Sequence, residues 1–597
     1  MLNVSLALET VKKVTGIALP FRVSASEGPG LKVCWDGGAE ARIAAEDPAA
    51  LCRGVFLLSR AVKEGRKVLN IAETRHFAHC GAMLDMSRNA VMSVEGVKQW
   101  IDHQAALGLN LLMLYTEDTY TVPGYPYFGY LRGRYTEAEL KAIDAYAAER
   151  GVELIPCVQT LGHMQQFLQW SASWSLRDQP GILLIDSEET YQLLDAMLAS
   201  LAACFTSRRI HIGMDEAHGV GLGRYLLQHG YTDRFELLTR HLNRVVELCA
   251  KYGFRPMMWS DMFFRLGSKT NAYYDLNNHI PDHVVASLPA VEQVYWDYYH
   301  TDEHFYDRMM AEHSRMGRAV YAGGIWTWSG FLPNREKTVC TMIPGLRVAA
   351  RRDTDTVFAT LWGDDGAETD YLMAVDRLTL FSEACWIGGS FDPEDCELAA
   401  ECLTGLPRAL RTAWDRFYAD DCNQYTGKAL IWCDPLYPCG ISAERKQQEL
   451  RGASEALKIL DAHPSFAGRP DMAYTRCVFA VLSAKIALMQ RLREAYEKKD
   501  SEVLKIVADQ EIPAAVAAYR ELMKAHRTLW ELSRKRQGWE VLALRYGGAM
   551  ARLEDVADEV RRYLDGTLSV IPELEEPELP EGKGTSYDRV STPSAKT

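Results

Sequence analysis

The chain has 597 residues, 48% hydrophobic and 24% charged, the balance of a packed globular protein, which excludes widespread disorder. Its length exceeds one ordinary domain, so two or three domains are expected. A formal charge of -14 speaks against a nucleic-acid partner, because affinity for a phosphate backbone is built from clustered Lys and Arg.

Met1 to Pro20 carries its lysines, Lys12 and Lys13, behind a brief apolar stretch, the reverse of a secretory signal. No segment offers roughly 18 uninterrupted apolar residues, so no membrane partner is expected and a cytoplasmic location is. The 14 cysteines are scattered without a C-x-x-C pair and read as reduced, buried thiols. Residues 1–75 predict a small α+β domain with one amphipathic helix over Pro48–Val62. Residues 76–390 alternate short apolar runs with helical patterns. The runs are Ala82–Asp85, Asn110–Tyr115, Glu153–Val158, Arg209–Met214, Pro256–Ser260, Gln293–Trp296, Ala319–Gly323 and Val357–Leu361. Eight such βα units predict an α/β fold, a (β/α)8 TIM barrel. Residues 391–571 predict an α-helical C-terminal domain, and 572–597, dense in Pro, Glu, Gly, Ser and Thr, a disordered tail.

In a parallel barrel the chemistry sits at the carboxyl ends of the strands. In chain order those ends bring Asp85 and Arg88; Glu117 and Asp118; Gln159 and His163; Asp215, Glu216 and His218; Trp259 and Asp261; Trp296, Asp297, Tyr298 and Tyr299; Trp326 and Trp328; Trp362, Asp364, Asp365 and Glu368. Carboxylates interleaved with indole and phenol rings suit a pyranose, whose C–H faces stack on aromatics while its hydroxyls donate to carboxylates. Asp215 and Glu216 are adjacent, so they cannot be the two opposed walls of an ordinary two-carboxylate glycosidase site. Adjacent acids suit substrate-assisted hydrolysis. In that scheme the sugar's 2-acetamido oxygen attacks C1, Asp215 holds the acetamido N–H, and Glu216 protonates the leaving oxygen. For this role Glu216 needs a raised pKa, which a carboxylate neighbour and partial burial are expected to supply.

The segment His211-Ile212-Gly213-Met214-Asp215-Glu216 resembles the H-x-G-x-D-E signature of glycoside hydrolase family 20, the β-N-acetylhexosaminidases. Leu84-Asp85-Met86-Ser87-Arg88 is similar to that family's L-D-x-S-R. Ile155-Pro156 with Thr160-Leu161-Gly162-His163 is similar to its third-strand motif, Met258-Trp259-Ser260-Asp261 stands at its pocket tryptophan, and Leu361-Trp362-Gly363-Asp364 resembles L-W-G-E. The resemblance covers about Ala78 to Gly389. It implies an exo-β-N-acetylhexosaminidase acting on terminal β-linked GlcNAc, with GalNAc as an alternative, through an oxazolinium intermediate and without a cofactor or metal. It implies catalytic Asp215 and Glu216, a sugar pocket of Trp259, Trp326 and Trp362, and Tyr298 or Tyr299 on the acetamido oxygen. His163 and His211 are implied as supports, with His163 counted among the binding residues.

The sequence departs from the family at Cys80, where the resemblance places an Arg for the distal hydroxyls. Arg88, Glu117 or Asp364 must then take that task. Together with Tyr125-Pro126-Tyr127-Phe128-Gly129-Tyr130, this variation is similar to the bacterial intracellular N-acetyl-β-D-glucosaminidase branch, which tends to dimerise, so a homodimer is expected. Two rivals stand beside this reading. One is a metal-dependent barrel hydrolase, since His211 and His218 flank the acids, although no H-x-H occurs in the chain. The other is a non-catalytic sugar-binding protein.

Overall fold

Alternation builds the amino-terminal sheet. In Leu31–Trp35 the residues Leu31, Val33 and Trp35 are buried while Lys32 and Cys34 face solvent, and Glu40–Ala45 repeats the pattern. The strands β1 (Arg22–Glu27), β2 (Leu31–Trp35), β3 (Glu40–Ala45) and β4 (Leu69–Glu73) pair in the order β1-β3-β2-β4. The helix Pro48–Lys63 covers them. It starts at Asp47, whose side chain accepts from Ala50 N, with Pro48 preset for the first turn. The computed structural model describes residues 2–388, 391–418, 425–437 and 440–580.

Eight parallel strands close a barrel: β5 (His79–Asp85), β6 (Leu111–Tyr115), β7 (Glu153–Cys157), β8 (Arg209–His211), β9 (Arg255–Trp259), β10 (Glu292–Trp296), β11 (Ala319–Gly324) and β12 (Thr356–Leu361). Being covered on both faces, they are apolar almost throughout rather than alternating. Met83, Met113, Ile155, Met257, Val294, Val320 and Phe358 fill the interior, while Ala82, Leu84, Leu112, Leu114 and Met258 meet the helices outside. Every strand predicted from the sequence is present. The fourth stops at His211 instead of Met214, because Gly213 and Met214 leave the extended region at φ +70° and +76°.

The amino-terminal unit and the barrel share one core, which contains Val33, Phe56, Trp100 and Leu378 together. Arg53, with no exposed surface, joins the two: its Nε lies 2.7 Å from Glu73 Oε2 and its Nη1 3.1 Å from Glu383 Oε1. Ala399, Cys402 and Leu403 pack into this same core, so the helical domain's own interior begins at Leu406 rather than at residue 391.

Helices Ala443–Asp461, Pro470–Glu497, Ile512–Ser533 and Trp539–Leu564 form that second interior around Val478, Leu482, Leu522, Trp530 and Leu542. It also takes in Phe331, Leu332, Ala367 and Met373 from loops at the catalytic end of the barrel. Pro470–Glu497 is long and apolar enough to cross a membrane by length and composition, but most of its apolar window is buried inside the protein. The expected disordered tail is corrected in its first part. Pro572–Glu575 makes a helical turn, Ile571 and Leu574 are buried, and Ile571 N donates to Tyr496 Oη at 3.1 Å. Residues 581–597 lie outside the described residues.

Arg53→Met leaves Glu73 and Glu383 facing each other without their cation. It should lower unfolding stability by about 3–5 kcal/mol, read as a reduced urea midpoint at unchanged slope.

Candidate active site

The loop after β8 is a strained segment at the pocket. Gly213, Met214 and Glu216 all have left-handed φ, at +70°, +76° and +50°. Glycine is required at 213, where a Cβ would stand 2.2 Å from Gln159 Oε1 and 2.6 Å from the Val158 carbonyl oxygen. Two buried side chains hold the turn. Gln159 accepts from Met214 N at 3.1 Å and donates from Nε2 to Asp215 Oδ1 at 2.5 Å, and Asp261 Oδ2 accepts from Glu216 N at 3.1 Å. The outcome is that two successive carboxyls open onto one cavity.

That cavity is lined by Arg88, His163, Asp215, Glu216, Trp259, Trp296, Tyr298, Tyr299, Trp328, Trp362 and Asp364. Nine of these are site residues expected from the sequence. His163 Nε2 sits between the acids, 3.1 Å from Asp215 Oδ2 and 3.4 Å from Glu216 Oε2. Burial alone would keep this imidazole neutral, but the Asp215 and Glu216 charges outweigh it and lift His163 well above its ordinary range. In turn, burial pushes Asp215 up, while His163 and Gln159 win and hold it below the usual carboxylate range.

Glu216 corrects an expectation. Burial does raise its pKa, but the His163 imidazolium and the Tyr273 hydroxyl, which donates to Oε1 at 2.8 Å, hold the carboxyl below its ordinary value. The acid that burial and carboxylate repulsion do push well above its ordinary range is Asp261, fully buried beside Asp215.

Arg88 and Asp364 form the other wall. Arg88 Nε lies 3.1 Å from Asp364 Oδ1, its Nη1 lies 3.5 Å from both Asp85 and Glu117, and its guanidinium stands 4.9 Å from the Trp362 ring. Burial pushes Asp364 up to about 6 against the pull of Arg88. Glu117 does not reach the cavity surface. It lies beneath it, accepting from Tyr115 Oη at 3.2 Å and standing 3.8 Å from His163 Nδ1.

The aromatic wall differs from the expectation at two positions: Trp296 joins it, and Trp326 leaves it. Trp326 is wholly buried and stacks behind Trp328 at 4.3 Å, so Trp328 meets the cavity in its place. Tyr298 and Tyr299 separate: Tyr298 is buried with its hydroxyl accepting from Trp362 Nε1 at 3.2 Å, and Tyr299 is 53% exposed at the rim. Cys80 cannot stand in for a pocket residue. It lies near the amino end of β5, a free thiol buried among the outward-facing side chains and within hydrogen-bond contact of the Cys385 thiol, at the opposite end of the barrel from Arg88.

Tyr273 was not among the residues singled out from the sequence, because it lies beyond the helix Asp261–Gly267, 14 positions after Trp259 and far from any strand end. The only available signal was the Tyr273-Tyr274 pair in the long loop after the fifth strand. Of the histidines flanking the acids, His211 lies against Trp259 with ring centroids 4.3 Å apart and planes tilted by 51°, and it accepts from Gly213 N, while His218 meets the Tyr273 hydroxyl at 2.9 Å. Among the described residues no group of three His, Cys, Asp or Glu could hold a metal ion.

Two family models match the chain: "Glycosyl hydrolase family 20, catalytic domain" over residues 77–285 and "Glycoside Hydrolase 20C C-terminal domain" over residues 425–591. The chain is 25% identical to Beta-hexosaminidase 3 of Arabidopsis thaliana over 37% of its own length and 44% of that protein. It is 31% identical to Hexosaminidase D of Bos taurus over 32% of its length and 55% of that protein. The matched chain thus spans about half the length of these curated relatives. Among solved structures, the exo beta-N-acetylglucosaminidase of Vibrio harveyi with N-acetylglucosamine has a similar fold, with TM-score 0.51, 17% identity, and 69% and 72% of the two chains covered. A mutant Streptomyces plicatus beta-hexosaminidase with GlcNAc gives TM-score 0.50, 21% identity, and 67% and 87% covered. With catalytic and C-terminal models of one family matching in order on a closed barrel, the chain belongs to glycoside hydrolase family 20.

Proposed function

We propose that this protein is an exo-acting β-N-acetylhexosaminidase that releases terminal β-linked GlcNAc, or GalNAc, by retaining, substrate-assisted hydrolysis. The observation that carries this reading is the pair Asp215 and Glu216, presented side by side to one aromatic-walled cavity and bridged by a single imidazole. No opposed second carboxylate is needed, because the substrate supplies its own nucleophile.

In this mechanism the sugar ring packs among Trp259, Trp328 and Trp362, and Arg88 with Asp364 binds the hydroxyls remote from C1. Tyr298, buried against Trp362, is better placed than the exposed Tyr299 to donate to the acetamido oxygen. Asp215 holds the acetamido N–H and stabilises positive charge as the carbonyl oxygen closes onto C1. Glu216 gives its proton to the departing oxygen and then takes one from the water that opens the oxazolinium. Two inversions at C1 return the β configuration.

The named solved structures that hold GlcNAc support a carbohydrate substrate, and the relatives' hexosaminidase names support the reaction. A metal-dependent route lacks a clustered ligand set among the described residues. A purely sugar-binding role would leave the strained acid turn without a purpose. We further propose a cytoplasmic homodimer. In support, Cys80 and Cys385 lie together as free thiols, and Leu222, Leu227 and Tyr231 are exposed apolar side chains in the segment that follows the catalytic loop.

Glu216→Gln should lower kcat about 10²–10⁴-fold on N-acetylglucosaminides with poor leaving groups and far less on nitrophenyl glycosides. An unchanged rate on the poor leaving group removes Glu216 as the acid. Asp215→Asn should reduce kcat/KM on 2-acetamido substrates by about 10²–10³-fold, in line with loss of one electrostatic partner of the transition state. A wild-type enzyme that hydrolyses 2-hydroxy glucosides equally well would defeat the internal-nucleophile mechanism. Asp364 accepts sugar hydroxyls more strongly when ionised, and burial that pushes its pKa up to about 6 places that ionisation near neutrality. The acid limb of kcat/KM should therefore fall as pH drops through about 6, and Asp364→Asn should flatten it.

A further inference from the structure

Past Trp362 and Asp364 the backbone makes an unusual turn, with Asp365, Gly366 and Ala367 successively at φ +57°, +138° and +53°. Two of these residues carry a Cβ, so the turn persists only if its surroundings hold it. The holding groups come almost entirely from the helical domain. Arg545 donates to the Asp365 carbonyl oxygen, and Arg534 donates to those of Ala367 at 2.7 Å and Thr369 at 2.6 Å. Ser533 Oγ donates to Asp370 Oδ2 at 2.5 Å. Asn89 Nδ2 from the first barrel loop reaches both the Gly366 oxygen at 2.8 Å and the Gly538 oxygen at 3.3 Å.

At the centre stands Lys428, with no exposed surface. Its Nζ lies 2.9 Å from Glu368 Oε2 and 3.4 Å from the carbonyl oxygens of both Trp328 and Asp364. Glu368, itself buried, is fixed from the other side by Trp432 Nε1 at 2.9 Å and Arg545 Nη1 at 3.1 Å. One ammonium from the helical domain thus grips the backbone of two residues that line the cavity, one on the seventh loop and one on the eighth. Glu368, Trp328 and Asp364 are thus among the oxygen partners of this ammonium.

We propose that Lys428 is a positioning residue: the helical domain sets recognition of the sugar's distal hydroxyls by fixing, through Lys428 and Glu368, where Asp364 and Trp328 stand in the cavity. This rests on the hexosaminidase reading above, and it gives the helical domain a role in specificity. Lys428 touches no substrate in this scheme and acts only through the two loops.

The test is a double-mutant cycle on the full chain, with kcat and KM measured on paired nitrophenyl β-GlcNAc and β-GalNAc. Lys428→Met should raise KM for GlcNAc about tenfold, change kcat less than about threefold, and narrow the GlcNAc-to-GalNAc preference. In an Asp364→Ala background the same change should add less than about twofold, because the group it positions is gone. Independent, multiplying effects of the two substitutions, or a loss confined to kcat, overturn the proposal. Should Lys428→Met lose its cooperative melt, Glu368→Gln decides, since it keeps side-chain shape and the Trp432 bond while removing the ion pair; the same KM pattern and the same non-additivity are expected. Wild-type protein inactive on both glycosides would strike the activity reading itself, whereas an active wild type with an additive cycle strikes only the role of Lys428.

Discussion

Two carboxyls on neighbouring residues repel, and an extended strand would point them to opposite faces. The site depends on overcoming both facts at once. Left-handed backbone at Met214 and Glu216 turns the pair toward one cavity, and the protonated His163, within 3.1 and 3.4 Å of the two acids, offsets their mutual repulsion. Neither device suffices alone. Without the imidazolium the acids would share a proton, as close carboxyl pairs do, and without the turn Glu216 would face the helix layer. Gln159 and Asp261 are the cost of the arrangement, two buried polar side chains committed to backbone groups of a four-residue loop.

The rest of the molecule reads as support for that loop and for the wall opposite it. The barrel places eight strand ends in a ring, so residues over a hundred positions apart in sequence converge, as Arg88 and Asp364 do. The loop carrying Asp364 has a backbone no less contorted than the acid turn, yet the barrel supplies it with few donors of its own. Arg534, Arg545 and Lys428 from the helical domain take over there. Packing follows the same division, since Phe331, Leu332 and Ala367 from barrel loops belong to the helical domain's core and not to the barrel's. The two domains therefore share the catalytic rim rather than merely abutting.

What the sequence disclosed follows from which signals are local. Barrel strands buried on both faces are unbroken apolar runs, and the polar residues just past them are the lining, so Asp85 through Trp362 could be read off the chain. The acid pair was legible because adjacency is itself a geometric statement. Signals that depend on side-chain direction or tertiary reach were not legible. Trp326 and Trp328 are both strand-end tryptophans, and only folding decides that one backs the other. Cys80 shares a strand with Asp85, and five residues of rise separate the two ends of the barrel. Tyr273 reaches Glu216 across a helix and a long loop, leaving no periodic trace. The acidity of Glu216 was misjudged because its nearest cation, His163, arrives from a different strand.

The low pKa of Glu216 in the open site bears on how the proposed acid acquires its proton. Burial is the largest single influence on this carboxyl and acts upward, and it is outweighed only by His163 and Tyr273. With 38% of its side chain exposed, Glu216 still has solvent to lose. A sugar seated in the cavity removes that solvent. Its acetamido N–H also engages Asp215, adding a donor to the acid that already attracts His163 more closely. Both changes raise Glu216 relative to Asp215. On the proposed substrate-assisted route, the internal nucleophile and the leaving-group acid would be prepared by the same event: filling the space between Trp362 and the acid turn. A ligand lacking the acetamido group would supply the desolvation but not the second donor on Asp215, and would raise Glu216 by the smaller amount.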